Sequence, residues 1–193
     1  MKEKIKHLLD QAAAVKNHMA QDEALWLQLA SVSHALVDCF KKGGKVLFCG
    51  NGGSAADAQH LAAELSGRFY LDRAPLFAEA LHVNTSFLTA VANDYGYEEV
   101  FARMVRAAGK PGDILIGLST SGKSPNILKA LQAGRQVGMQ TIGMTGAAGQ
   151  SIADFCDFVL MAPSTDTPRI QEAHITMGHI FCQLVEQQLF EAE

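Results

Sequence analysis

The sequence predicts an α/β fold: a doubly wound, mostly parallel sheet with helices on both faces. Three observations predict it. Five short apolar runs follow one another along the chain, helical patterns lie between most of them, and two amphipathic helices precede the first run. Continuous apolar runs suit strands buried on both faces, whereas a strand with one wet face alternates.

Residues 3–20 place Ile5, Leu8, Leu9, Ala12, Val15 and Met19 on one helical stripe. Residues 22–42 do the same with Leu25, Leu29, Val32, Leu36, Val37 and Phe40, and Gly43-Gly44 stops the pattern. These helices must pack on the later sheet or on another subunit. The period then changes. Strands are expected at Lys45–Cys49, Leu76–Leu81, Asp113–Leu118, Gln140–Met144 and Phe158–Met161. Helical patterns run from the loop after Cys49 to about Ser66, and over Glu98–Ala107, Pro125–Val137 and Arg169–Phe190. The expected organisation is one domain over 1–193, with a helical pair at 1–42 and an α/β core at 43–193.

Bulk composition narrows the function. With 48% hydrophobic and 19% charged residues, the 193-residue chain can bury a core and is not disordered. A net charge of −4 offers no basic footprint for nucleic acid. No apolar stretch approaches the ~18 residues of a membrane span, and Met1-Lys2-Glu3-Lys4 is too polar to open a signal peptide. Cys39, Cys49, Cys156 and Cys182 lie far apart among apolar residues, as reduced packing cysteines of a cytoplasmic protein do.

Ligands of an open parallel sheet sit where strands lead into helices, and two such loops stand out. Gly50-Asn51-Gly52-Gly53-Ser54 lets backbone approach a ligand, with Ser54 available to cap the next helix. By itself it is equally a plain turn, and it lacks the signatures of dinucleotide and NTPase loops. Ser119-Thr120-Ser121-Gly122-Lys123-Ser124 is the stronger candidate. Capping explains one hydroxyl ahead of Pro125, not four in six residues, and an anion site explains the rest. A third turn, Thr145–Gly149, is explained by ordinary turn chemistry and is assigned no role.

For proton transfer, His60 and Glu64 share one helix face, and Gln171 and His179 lie nearly two turns apart on the last helix. Taken separately, each helix fits a buried polar pair or a solvated face. With a phosphate loop present, a glutamate and a histidine suit the proton shift that isomerises a sugar phosphate.

Together the segments Cys49–Ser54, Asp57–Leu65, Ala92–Gly96, Ser119–Ser124 and Arg169–His174 resemble the sugar isomerase (SIS) family, in its phosphoheptose isomerase branch. The resemblance implies a five-stranded parallel sheet, a homotetramer with active sites at subunit interfaces, and one zinc per subunit. It implies conversion of sedoheptulose 7-phosphate to D-glycero-D-manno-heptose 7-phosphate through an enediol, the first step toward nucleotide-activated heptose for lipopolysaccharide. On the matching positions, Glu64 is the expected base and His179 the expected acid. His60, Glu64, Gln171 and His179 match the metal ligands. Ser119, Thr120, Ser121 and Ser124 match the phosphate loop, while Asn51, Gly52, Gly53, Ser54, Asn93 and Asp94 match sugar contacts; Arg68 is a further candidate.

Two rivals share the fold. One is a non-enzymatic tetramer that binds the bacterial replication initiator; that branch lacks the glutamate four residues after the histidine, which this chain keeps as Glu64. The other is an isomerase of arabinose 5-phosphate or a hexose phosphate, against which the two helical pairs speak.

Overall fold

The computed structural model describes residues 1–191. Two helices lead, α1 (Lys2–Met19) and α2 (Glu23–Lys41), joined at Asp22, whose carboxylate accepts from the Leu25 N–H at 3.0 Å and caps α2. There follow β1 (Val46–Gly50), α3 (Gly53–Ser66), β2 (Ala78–Ala80), α4 (Thr85–Tyr95), α5 (Val100–Ala108), β3 (Ile114–Leu118), α6 (Pro125–Val137), β4 (Gln140–Gly146), β5 (Phe158–Ala162) and α7 (Thr167–Phe190).

All strand pairs are parallel, in the order β2-β1-β3-β4-β5. The chain therefore leaves β1 toward one edge, then returns to its other side with β3. That reversal opens a crevice beyond the carboxyl ends of β1 and β3, the usual ligand position in such sheets.

Alternate strand residues feed two cores, as the two-residue period requires. Ile114, Ile116 and Leu118 face Leu36, Leu61, Met177 and Phe181 of α2, α3 and α7. Leu47, Cys49 and Leu115 face Phe101 and Leu131 of α5 and α6. Phe48, Phe101 and Phe181 are fully buried, each worth about 1.5–3 kcal/mol relative to exposure.

The two helices of the pair pack unequally. α2 packs on the sheet through Leu29, Val32 and Leu36, but on α1 only Met19 is buried, while Ile5, Leu8 and Leu9 stay exposed. α1 rests lightly on α7, where Arg169 donates to the Leu8 carbonyl at 2.9 Å.

Two expectations need correction. The strand read over Leu76–Leu81 spans only Ala78–Ala80, while the other strands keep their expected places to within two residues. The stretch between Leu81 and Glu98 also holds α4, which was not anticipated. Its signal is short: Asn84 caps it by accepting from the Phe87 N–H at 3.0 Å, and only Val91 is buried.

Candidate functional site

Gly50 at the end of β1 pairs in register with Leu118 at the end of β3, so the two candidate loops start side by side. Between them lies a cavity of about 320 Å³ lined by Asn51, Gly52, Gly53, Ser54, Leu118, Ser119, Thr120, Ser124, Thr167 and Gln171. Most residues assigned from sequence to phosphate and sugar contact therefore meet at the topological switch point.

The first loop turns on glycine. Gly52 has φ +56°, a conformation that disfavours a Cβ, and it is the residue that caps α3. Ser54, expected to cap, lies instead inside the first helical turn and is buried. Gly53 admits Gln171: a Cβ there would stand 2.5 Å from Gln171 Nε2.

The second loop keeps its donors free. Ser119 and Ser124 share a hydrogen bond between their hydroxyls at 2.9 Å, and Ser121 Oγ accepts from the Lys123 N–H at 3.2 Å. Among the described residues, the N–H groups of Thr120, Ser121 and Ser124 donate to no other group of the chain. They sit ahead of α6, which begins with Pro125 and so gives up no useful donor. The Thr145–Gly149 turn does have a role, as a support for this loop. Gly146 N–H donates to the Thr120 carbonyl at 3.1 Å, and Gly149 packs so tightly beneath Gly122 (φ +64°) that a Cβ there would collide with the Gly149 carbonyl. If the loop holds a phosphate, replacing Ser119 and Ser121 together by alanine removes two hydroxyl donors to a charged ligand, so affinity for a sugar phosphate should fall about 10²–10⁴-fold by titration calorimetry. Unchanged affinity would refute the loop's assignment.

The residues expected to carry the proton transfer converge only in part within one chain: His60, Glu64 and His179 meet, and Gln171 does not join them. Gln171 meets Gly53, Gly178 meets Leu61 and His179 meets His60, so α3 and α7 run side by side in the same direction. Gly178 eases that approach, since a Cβ there would crowd the Leu61 side chain. His60 Nε2 lies 3.0 Å from His179 Nε2 and 3.1 Å from Glu64 Oε1, and the ligand atoms of the three residues fall within 4.8 Å of one another. This cluster stands about 10 Å along the helices from the Gly53–Gln171 contact. Burial and the adjacent His60 push the His179 imidazole below its ordinary range, with Glu64 opposing. Two imidazoles and a carboxylate so arranged suit a cation of the zinc type, because neutral histidines present lone pairs.

Other assigned residues lie elsewhere. Asn93 and Asp94 are exposed near the end of α4, bonded to each other at 2.9 Å, and do not line the cavity. Arg68 is exposed on the segment after α3. That segment holds groups the sequence did not mark. Glu186 of α7 accepts from the N–H groups of Phe69, Tyr70 and Leu71 at 3.1, 2.7 and 2.8 Å and pairs with Arg73 at 3.1 Å. The fastening sets the Phe69 ring 5.6 Å from that of His179. Also unmarked is His174, fully buried on α7 and driven by burial to a pKa of about 4, hence a neutral core histidine.

The family described as SIS domain matches residues 8–146. The chain is 55% identical over 161 residues to the phosphoheptose isomerase of Rhodospirillum rubrum, covering 83% of this chain and 86% of that one. It is 48% identical over 190 residues to the phosphoheptose isomerase of Clostridium acetobutylicum, covering 98% and 97%. Its fold superposes on the phosphoheptose isomerase GmhA of Neisseria gonorrhoeae with a TM-score of 0.90 at 39% identity, over 96% of this chain and 98% of that one. With the matched domain, the site at the switch point and relatives this similar over nearly their whole length, the chain belongs to the SIS-domain family, in its phosphoheptose isomerase branch.

Proposed function

We propose that the chain isomerises sedoheptulose 7-phosphate to D-glycero-D-manno-heptose 7-phosphate, the first step toward nucleotide-activated heptose for lipopolysaccharide. One observation carries the reading: the donor-rich loop lines a cavity at the start of α3 and α7, and the His–Glu–His cluster stands about 10 Å further along the same two helices, the scale that separates the phosphate and carbonyl ends of an open-chain sugar. The relatives named phosphoheptose isomerase select the seven-carbon sugar.

In this reading Ser119, Thr120, Ser121 and Ser124 hold the phosphate, and Asn51, Gly52, Gly53, Ser54 and Gln171 the sugar, while Asn93 and Asp94, exposed and off the cavity, take no part within the chain. Glu64 takes the proton from C1, beside the C2 carbonyl, giving the enediol, and returns it at C2. His179, kept neutral, gives a proton to O2 and receives one from O1, as a neutral imidazole does in other aldose–ketose isomerases. Charge and atoms balance, since each group ends as it began.

His60, Glu64 and His179 are the proposed ligands of one zinc per subunit, which when bound would supply Lewis-acid polarisation of the sugar carbonyl; Gln171, expected as a fourth ligand, lies about 10 Å away along α7 and faces the sugar cavity instead. Glu64 has two oxygens and can serve as ligand and base together. At His179 the two roles fall to different ring nitrogens, Nε2 toward the cluster and Nδ1 as the proton carrier, since a coordinated nitrogen has no proton to give. The exposed Ile5, Leu8, Leu9, Trp26 and Leu27 of the helical pair support the homotetramer, with the sites near its interfaces. Among the described residues no helix is long and apolar enough to cross a membrane, and the free cysteines fit the reducing cytoplasm.

The test is incubation with sedoheptulose 7-phosphate and identification of the product, alongside arabinose 5-phosphate and a hexose phosphate. Turnover of the heptose alone is expected; preference for a smaller sugar, or none, overturns the proposal. Metal analysis should find about one zinc per chain, with activity lost on chelation and restored by zinc. Full activity in metal-free protein would remove zinc from the chemistry.

A further inference from the structure

Asn51 and Asn126 form a reciprocal pair across the switch point. Asn51 Nδ2 donates to Asn126 Oδ1 at 2.9 Å, and Asn126 Nδ2 donates back to Asn51 Oδ1 at 2.8 Å. Such a pair keeps its bonds if both amides flip together, so an outside group must fix its sense. The backbone does so. The Ile127 N–H can only donate; it is shared between the Ser124 carbonyl at 3.0 Å and Asn126 Oδ1 at 3.1 Å, where an amide N–H would repel it. The atom there is therefore an oxygen, its partner on Asn51 is the amide nitrogen, and Asn51 Oδ1 takes the other bond. The Tyr97 hydroxyl adds a second donor to Asn51 Oδ1 at 3.2 Å.

This leaves Asn51 Oδ1 with two donors and both lone pairs used. One N–H of Nδ2 is also committed, and the second is the only polar capacity that Asn51 has to spare. Asn51 lines the cavity between the loops. Asn126 is buried at the start of α6, and Tyr97 sits on a turn tied to α6 by Lys129, which bridges Glu98 and Glu99 at 2.8 Å each.

We propose that Asn126 and Tyr97 are positioning residues that lock the Asn51 carboxamide, so that it meets the sugar through a single N–H and recognises an oxygen lone pair, not a hydroxyl hydrogen. The substrate class rests on the function proposed above; the locked amide does not. The lock also ties the sugar-contacting loop to the helix that follows the phosphate loop.

Asn126→Asp keeps the acceptor for Asn51 Nδ2 and Ile127 but sets a carboxylate oxygen against Asn51 Oδ1; turning the amide over only moves that clash to the other oxygen, so the pair parts and the lock is lost. Turnover of sedoheptulose 7-phosphate should then show KM raised about tenfold, the scale of one hydrogen bond, with kcat within about threefold. Tyr97→Phe should raise KM less, and its exposed position keeps the test available if Asn126→Asp fails to fold. In an Asn51→Ala background neither substitution should change KM further, because the only group they position is gone. An equal KM effect in that background, or unchanged KM for both variants in active protein, overturns the proposal. If the unmodified protein turns over no heptose, the function reading fails by itself, and amide-proton exchange tests the lock. One Asn51 side-chain proton should then exchange slowly and the other fast, and equally fast exchange of both sinks the lock.

Discussion

Replacing Glu64 by glutamine should lower kcat about 10²–10⁴-fold, the range lost with a general base, while sugar-phosphate affinity changes little. The amide has the same shape and keeps an oxygen for His60, which stands 3.1 Å from Glu64 Oε1, but it cannot accept a proton from carbon. Affinity is preserved because the proposed phosphate donors line the cavity at Gly53 and Gln171, about 10 Å along the helices from this cluster. Zinc content must be measured on the same sample, since an amide is a weaker ligand than a carboxylate. Activity lost with zinc retained isolates proton transfer; activity lost with zinc lost assigns Glu64 to the metal. Full activity would sink both. The pH profile gives an independent check. His179 is held below the ordinary imidazole range, so its neutral form persists as pH falls through ~6.5. The acid limb of kcat should therefore lie below that pH, and a limb above it would contradict the neutral-donor role.

The residues that the sequence made legible are those whose chemistry is local. Ser119–Ser124 stood out because hydroxyl density after an apolar run has no structural explanation beyond one cap. The two helical pairs stood out because spacing alone puts His60 beside Glu64. What spacing could not say is that His60 also meets His179, 119 residues away, within the same chain. That contact is a fact of helix packing, eased where Gly178 lets Leu61 approach. The Ser54 cap failed for a related reason: Gly52 takes a positive φ and occupies the capping position itself. α4 was missed because its signal is one asparagine cap and a single buried valine among threonines and asparagines with weak helix preference. The Thr145–Gly149 turn reads as plain turn chemistry, and only its packing under Gly122 gives it a purpose.

Replacing Arg73 by alanine should destabilise the protein by about 3–5 kcal/mol, the cost of leaving a buried charge without its partner. The Arg73 and Glu186 side chains are 3% and 2% exposed, so water cannot replace the lost pairing. Beyond Glu186, the guanidinium donates to the carbonyls of Glu64, Leu65, Gly67 and Ala74 at 3.0, 2.7, 3.1 and 3.1 Å, all of which would lose a donor. At this chain length the change corresponds to roughly 10 °C in Tm, read at fixed protein concentration because any oligomer makes Tm concentration-dependent. Arg73→Lys should recover only part of the loss, since an ammonium cannot reproduce the planar fork. The pH dependence has a definite sign. Burial raises the Glu186 carboxyl, but the Leu71, Tyr70 and Phe69 N–H groups and Arg73 outweigh it and hold it below the usual range. A depressed carboxylate stabilises the fold above its unfolded pKa of ~4.3 and loses that contribution as pH falls through the folded value. Activity should fall with stability in Arg73→Ala, because the same fastening holds Phe69 against His179 and steadies the Glu64 backbone. Urea unfolding that shows less than about 1 kcal/mol of change would mean that the segment after α3 is held by something other than this ion pair.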